Sequence, residues 1–138
     1  MLLHVYATAS EGKDITDEIK AIKARYDEII KGLKLDMNLD EEFKTIEADF
    51  KAKAGKDYAA SRGEFLNGKV IANYLGYEFI DSAEVIFFDE DGNFDANKTQ
   101  SVLSKRLENL DCAVVAESFE SDHILIFRKN RIRINCNI

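Results

Sequence analysis

Apolar residues in the first half of the chain recur every three or four positions, the spacing of one face of an α-helix. This spacing predicts helices at about residues 2–10, 14–32 and 40–55. Asp14 or Thr16 can cap the second helix. The second and third helices should form an antiparallel hairpin, because the loop between them is short. The apolar faces of this hairpin contain Ile15, Ile19, Ile22, Tyr26, Ile29 and Leu33 in the second helix, and Leu39, Phe43, Ile46, Phe50 and Ala54 in the third.

The second half of the chain changes from helical spacing to short runs of aromatic and branched residues. A long helix is predicted at residues 57–75, with Gly76 as its stop. Strands are expected at residues 78–80 and 84–88, followed by a helix and a strand. That last helix covers about residues 96–110, and the strand covers residues 112–115. The order strand, helix, strand favours a right-handed crossover and a parallel pair of strands.

Composition limits the classes of protein that this chain can belong to. Its 138 residues are one domain's length, and 46% hydrophobic with 33% charged residues is typical of a soluble globular protein. The net charge of −7 argues against binding to nucleic acid or to an anionic membrane, which both depend on Lys and Arg. No apolar stretch approaches the roughly 20 residues that cross a bilayer, and no signal peptide is recognisable. We therefore expect a cytoplasmic protein.

The residue types that most often bind metals do not occur in suitable groups. His4 and His123 have no carboxylate or Cys at ligand spacing, so metal binding and acid–base chemistry carry little weight. Cys112 lies in an apolar run, and Cys136 lies near the end, so neither suggests a disulfide. The acidic stretch at residues 89–93 is interpreted as a turn, because its Gly is not at the position that a calcium-binding EF-hand loop requires.

One carboxylate stands where the helix at residues 57–75 should be apolar. Glu64 falls in the middle of the apolar arc, with Ile71 and Leu75 each about 20° away around the helix. A buried carboxylate needs a cation, several donors or a proton. An internal Arg or backbone amides could hold it, or it could contact a ligand. The arc contains Ala60, Phe65, Ile71, Ala72, Tyr74 and Leu75, and the polar edge contains Arg62, Lys69 and Asn73.

Small residues beside Glu64 leave room for a groove. Ser61 and Gly68 lie on the same side of the helix, where something could fit against the carboxylate. Ser61 is better interpreted as a helix-start or groove-lining residue than as a nucleophile, since no His stands near it in sequence to act as a base.

The segment Ser61-Arg62-Gly63-Glu64 resembles the Ser-x-Gly-Glu helix of the aspartokinases, members of the amino-acid kinase superfamily. Residues 79–86 and the pair Phe94-Asp95 resemble the strand and loop that follow this helix in that family. The likeness covers about residues 1–115, which would be the central part of the catalytic domain. It implies a helix-rich part of a three-layer α/β/α fold, with a helical hairpin and a few mostly parallel strands.

The resemblance also implies a chemistry. Aspartokinases transfer the γ-phosphoryl group of ATP, with Mg²⁺, to the β-carboxylate of L-aspartate, in the biosynthesis of lysine, threonine and methionine. The Glu of the motif, here Glu64, is the family's partner for substrate aspartate, and Ser61 holds the motif's Ser position. Aspartokinases are commonly homodimers, so a homodimer is possible here.

Two phosphate-binding segments of the family are not found in this sequence. Neither the Lys-Phe-Gly-Gly loop nor the Ser-Arg-Gly-Gly-Ser-Asp segment occurs, and the glycines are scattered. No residue can be assigned to ATP or Mg²⁺, and we expect the isolated chain to be inactive. Residues 1–116 would be a partial catalytic domain and residues 117–138 a divergent tail. We hypothesise that the gene lost both flanks of an aspartokinase, or that a frameshift after about residue 116 produced the sequence of the tail.

Three interpretations remain open at this point. The chain is a segment of an aspartokinase that supplies the aspartate side of the pocket. Alternatively, it is a non-catalytic helical module that binds a partner or small ligand, or it is a truncated product with no role of its own. The sequence does not decide whether the chain binds aspartate or ATP by itself, nor its oligomeric state or feedback regulation.

Overall fold

The computed structural model describes residues 1–116, 123–128 and 134–137. Contacts between Cα atoms divide the chain into two units, residues 1–66 and 67–138, and the division falls within one long helix. The elements in chain order are α1 (Leu2–Ser10), α2 (Thr16–Gly32), α3 (Asp40–Lys51), α4 (Lys56–Leu75), β1 (Glu78–Asp81), α5 (Ser82–Val85), α6 (Ala96–Leu107), β2 (Cys112–Ala116), β3 (His123–Arg128) and β4 (Ile134–Asn137).

The first unit contains the predicted helical hairpin. The Thr16 hydroxyl oxygen lies 3.3 Å from Glu47 Oε1 near one end, and Lys23 Nζ lies 2.7 Å from an Asp40 oxygen nearer the other. Since these pairs run forward along α2 and backward along α3, the two helices are antiparallel, and that prediction is confirmed. The buried apolar residues of the unit are Leu2, Val5, Ile15, Ile19, Ile22, Tyr26, Ile30, Leu39, Phe43, Ile46, Phe50, Ala59 and Leu66.

Details of the helices differ from the sequence prediction. Ile29 and Leu33 are exposed, and Ile30 is buried in their place. The third helix ends at Lys51 rather than at Gly55, because Lys53 adopts a left-handed conformation with φ +65°. Asp14 precedes α2 and accepts hydrogen bonds from the amide and the hydroxyl of Thr16, at 3.0 and 2.8 Å. These bonds hold the pKa of the Asp14 carboxyl below its usual value.

The second unit contains a four-stranded sheet in the order β1-β2-β3-β4. β1 and β2 are parallel, as predicted, with Phe79 opposite Val114. The β2–β3 and β3–β4 pairs are antiparallel, so the expectation of mostly parallel strands holds for β1 and β2 alone. β3 and β4 lie in the 117–138 stretch that the sequence left uninterpreted.

Helical residues pack against both faces of the β1–β2 pair. Ile80 and Val115 belong to a buried cluster that Val102, Leu103, Leu107 and Leu110 complete from α6 and its end. Val114, whose side chain alternates with that of Val115, clusters instead with Ala72 of α4. The local arrangement is therefore helix, sheet, helix, the layering expected of the α/β/α class.

The strand predicted at residues 84–88 is not present. Asp81 accepts a hydrogen bond from the Ala83 amide at 3.0 Å, and this cap starts the short helix α5 directly after β1. Further on, a single bridge joins Phe88 and Phe94 around the acidic stretch. There Asp89 accepts from the amides of residues 91 and 93, and Gly92 has φ +82°, so the predicted turn is confirmed. The following helix ends at Leu107 rather than near residue 110.

Candidate substrate-binding helix

Helix α4 carries both residues that the sequence singled out, and Glu64 lies inward along it. The Oε2 atom of Glu64 exposes less than 1 Å² to solvent, and its residue is half-buried. Ile71 and Leu75, its predicted neighbours, pack against the Ala72–Val114 cluster. The carboxylate is therefore not a free surface group, which is the first requirement for a substrate contact made in a low-dielectric setting.

The rest of the predicted apolar arc is only partly correct. Ala60 and Tyr74 are exposed, Tyr74 by 60%. Ala59 and Leu66 are buried instead, although they lie on the side of the helix that was predicted to be polar. The physical reason is that α4 buries residues on two opposite sides, so no single stripe describes its pattern.

Ser61 uses its hydroxyl within the helix. Its Oγ donates to the carbonyl oxygen of Tyr58 at 2.9 Å and accepts from Arg62 Nε at 3.3 Å. Because α4 begins at Lys56, Ser61 lies inside the helix, and the helix-start interpretation is wrong. Bonding of this kind to a preceding carbonyl is common for a Ser within a helix, and it orients the hydroxyl. The groove-lining interpretation of Ser61 stays a prediction.

Gly68 does not line an open groove. A Cβ atom built on it would lie 2.8 Å from Phe79 Cε2 and 3.1 Å from Ala116 Cβ. The space beside this glycine is therefore filled by the sheet, and Gly68 permits a close approach between α4 and the β1–β2 pair. The predicted groove beside Gly68 is thus not present.

Arg62, which was predicted to lie on the polar edge of the helix, stacks against two aromatic rings. Its guanidinium carbon lies 4.5 Å from the ring centre of Phe65 and 5.2 Å from that of Tyr58. The Tyr58 hydroxyl donates to Asp49 on α3. Burial, together with this hydrogen bond, raises the pKa of Tyr58 above its usual value. The spacing of Tyr58, Arg62 and Phe65 along one helix side was the signal that could have revealed this stack.

Metal and nucleotide sites find no support among the described side chains. Within residues 1–116, no three His, Cys, Asp or Glu side chains group as metal ligands. His4 Nε2 lies 3.8 Å from Glu18 Oε1, as a single pair. Gly12, Gly76 and Gly92 have positive φ and close helices or a turn, so they form no phosphate cradle, and ATP and Mg²⁺ stay without assigned residues. Among the described residues, no helix is long and apolar enough to span a membrane.

Comparison with known proteins places this helix and its sheet in a recognised fold. No protein-family model and no curated protein sequence matches the chain. The crystal structure of aspartate kinase from Clostridium acetobutylicum, described as an allosteric enzyme, matches it with a TM-score of 0.77 and 34% sequence identity. That match covers 94% of this chain. The chain has an aspartokinase-like fold.

The extent of the match refines the resemblance drawn from sequence. The resemblance to the aspartokinases is confirmed, and so is the assignment to a helix-rich α/β class. Sequence reasoning found no resemblance after about residue 116, whereas a match over 94% of the chain includes part of residues 117–138. The chain spans 30% of the length of the Clostridium kinase.

Proposed function

We propose that this chain is an aspartokinase catalytic-domain segment whose helix α4 supplies the aspartate-binding carboxylate, Glu64. The observation that carries the proposal is the match to an aspartate kinase at 34% identity, combined with the inward position of the Glu64 Oε2 atom. The resemblance implies that the whole enzyme transfers the ATP γ-phosphoryl group to the β-carboxylate of L-aspartate. In that reaction Glu64 acts on binding, by pairing with the α-ammonium group of aspartate.

The physical case for Glu64 is one of selectivity. A charge-assisted contact in a partly dry site is worth roughly 1.5–3 kcal/mol, or about 10- to 150-fold in affinity. It favours an amino acid over a dicarboxylate that lacks the amine. Glu64 does not by itself accelerate phosphoryl transfer, because that step depends on neutralising the phosphate charge with Lys, Mg²⁺ and backbone amides. We therefore expect this chain to bind aspartate without turning it over.

Binding can be measured by thermal shift with L-aspartate, using succinate as the ligand without an amine. We expect aspartate to raise the melting temperature of the wild type, and Glu64→Gln to abolish that shift. Glu90→Gln is the matched control, since Glu90 is exposed in the turn after Phe88. Equal aspartate shifts in wild type and Glu64→Gln would contradict the proposed contact. The absence of a shift in every variant would favour a non-catalytic helical module.

Turnover is tested separately. The purified chain is incubated with Mg²⁺, ATP and aspartate, and any aspartyl phosphate is trapped with hydroxylamine. We expect no hydroxamate to form, since no residue of the chain is assigned to the phosphates. A measurable yield that depends on all three components would overturn the expectation that the chain is inactive alone.

A further inference from the structure

A second feature of the first unit is a cavity at the ends of two helices. It has a volume of about 440 Å³ and lies where α1 and α3 end. This volume is within the range of small-molecule sites in proteins. Neither Glu64 nor Ser61 lines it, so it is distinct from the proposed aspartate contact. Its lining includes Tyr6, Glu11, Gly12, Lys53, Ala54 and Gly55.

The walls of this cavity are fixed by hydrogen-bonded turns. The amides of Gly12 and Lys13 donate back into the last turn of α1, at 3.0 and 3.3 Å. The amides of Lys53 and Ala54 do the same for α3, at 3.0 and 2.9 Å. Each pair of hydrogen bonds is the pattern that defines a Schellman motif, with φ +73° at Gly12 and φ +65° at Lys53. The backbone on both sides is therefore held in place without a ligand.

The cavity presents one charge of each sign. Glu11 Oε2 lies 2.5 Å from Lys13 Nζ, and within residues 1–116 that ion pair is its one contact of this kind. None of the ion pairs in the same range involves Lys53. A carboxylate oxygen and an ammonium group are thus both available to a molecule in the cavity.

The remaining walls are aromatic or open. Tyr6 and Ala54 give the cavity an apolar side, against which a hydrocarbon group can bury its surface. Gly12 and Gly55 have no atom within 4 Å of the point where a Cβ would stand, so both border empty space. A ligand can therefore approach the backbone closely at two points.

We infer that this cavity binds a small zwitterion, an α-amino acid with an apolar side chain. Its ammonium group pairs with Glu11, its carboxylate pairs with Lys53, and its side chain packs on Tyr6 and Ala54. A simple amine leaves Lys53 without a partner, and a simple carboxylate leaves Glu11 Oε1 without one, so the two wall charges together favour the zwitterion. This site acts independently of the proposed function at Glu64.

L-Leucine is the probe, and two analogues each lack one of its charges. 3-Methylbutylamine keeps the ammonium group, and 4-methylpentanoate keeps the carboxylate. Each is titrated into the ¹⁵N-labelled chain while the backbone amide signals of Gly12 and Gly55 are followed. We expect saturable shifts of both signals with leucine, and half-saturation with either analogue at about tenfold higher concentration.

Charge variants give the second measurement. Glu11→Gln and Lys53→Gln should each weaken leucine binding about tenfold. Glu28→Gln and Lys44→Gln are matched controls, because both residues are exposed and lie outside the cavity lining. Glu64→Gln should leave leucine binding unchanged, which keeps this test separate from that of the aspartate contact.

Two results would overturn the inference. One is the absence of saturable shifts at Gly12 and Gly55 with leucine in the wild-type chain. The other is equal binding of leucine and of either analogue, since that would show that the two charges do not act together. Because the analogues are tested on the wild type, both results stand even if a cavity variant fails to fold.

Discussion

The two compact units of the chain bury different kinds of side chain. The first is filled by large groups, among them Phe43 and Phe50, and the rings of Tyr26 and Phe43 lie 5.7 Å apart. The second has small residues at its helix–sheet contact, with Gly68 against Ala116 and Ala72 clustered with Val114. Stability in the first unit should therefore depend on filled volume, and in the second on how closely a helix can approach a sheet.

Helix α4 shows this difference within one element. Ala59, Leu66 and Val70 are buried on one side of it, and Gly68 and Ala72 are buried on the other. A helix that buries residues on two opposite sides has no single apolar face. The comparison teaches that a residue on such a helix must be judged by what packs against its own side.

The largest loss of unfolding free energy is expected when a large side chain is removed from the core of the first unit. Phe43 is 2% exposed, so Phe43→Ala should lower the free energy of unfolding by about 3–5 kcal/mol. Urea denaturation followed by circular dichroism measures this. Phe94→Ala is the control, because Phe94 is 56% exposed and should cost less than about 1 kcal/mol. A similar loss in both variants would remove the distinction between filled core and surface.

An intermediate change in the free energy of unfolding is expected at alkaline pH, and it arises again in the first unit. Burial raises the pKa of Tyr26 from 10.0 to about 12. In the unfolded chain this phenol ionises near pH 10, while in the folded chain it stays protonated. Its stabilising contribution is thus complete below pH 10 and is lost as pH rises to 12, by about 2 kcal/mol.

The measurement for Tyr26 is urea denaturation of wild type and Tyr26→Phe at pH 9, 10, 11 and 12. We expect the unfolding free energy of the wild type to fall more steeply over this interval than that of the variant. Parallel curves would mean that the phenol is accessible in the folded chain, and would weaken the view that tight aromatic packing stabilises this unit.

Much of the fold could be predicted from local sequence signals. The helical hairpin followed from apolar residues three and four apart, and the end of α4 followed from Gly76, whose φ is +69°. The parallel β1–β2 pair followed from the order of elements. Each of these features depends on residues close in sequence or on a topological rule, so one sequence was sufficient.

One error had a local cause: the residues at 84–88 suit a strand, but the cap at Asp81 starts a helix first. The other errors arose where distant contacts decide the outcome. At Gly68 a small residue indicated room for a ligand, whereas the sheet occupies that space. The inward position of Glu64 could be predicted from the helical wheel, but what lies against each side of α4 could not.

The smallest expected effect separates the two halves of α4 most directly. Gly63→Ala should stabilise the chain by about 0.5–1 kcal/mol, since Ala is the better helix former and nothing lies within 4 Å of the new Cβ. Gly68→Ala gains the same propensity but places its Cβ 2.8 Å from Phe79 and 3.1 Å from Ala116. Overpacking costs about 1–3 kcal/mol, so the net change should be a loss of about 1 kcal/mol in the free energy of unfolding.

Urea denaturation of both variants tests this difference in sign. If Gly68→Ala also stabilised the chain, the Phe79 ring would be free to move aside, and close helix–sheet approach would not distinguish the second unit from the first.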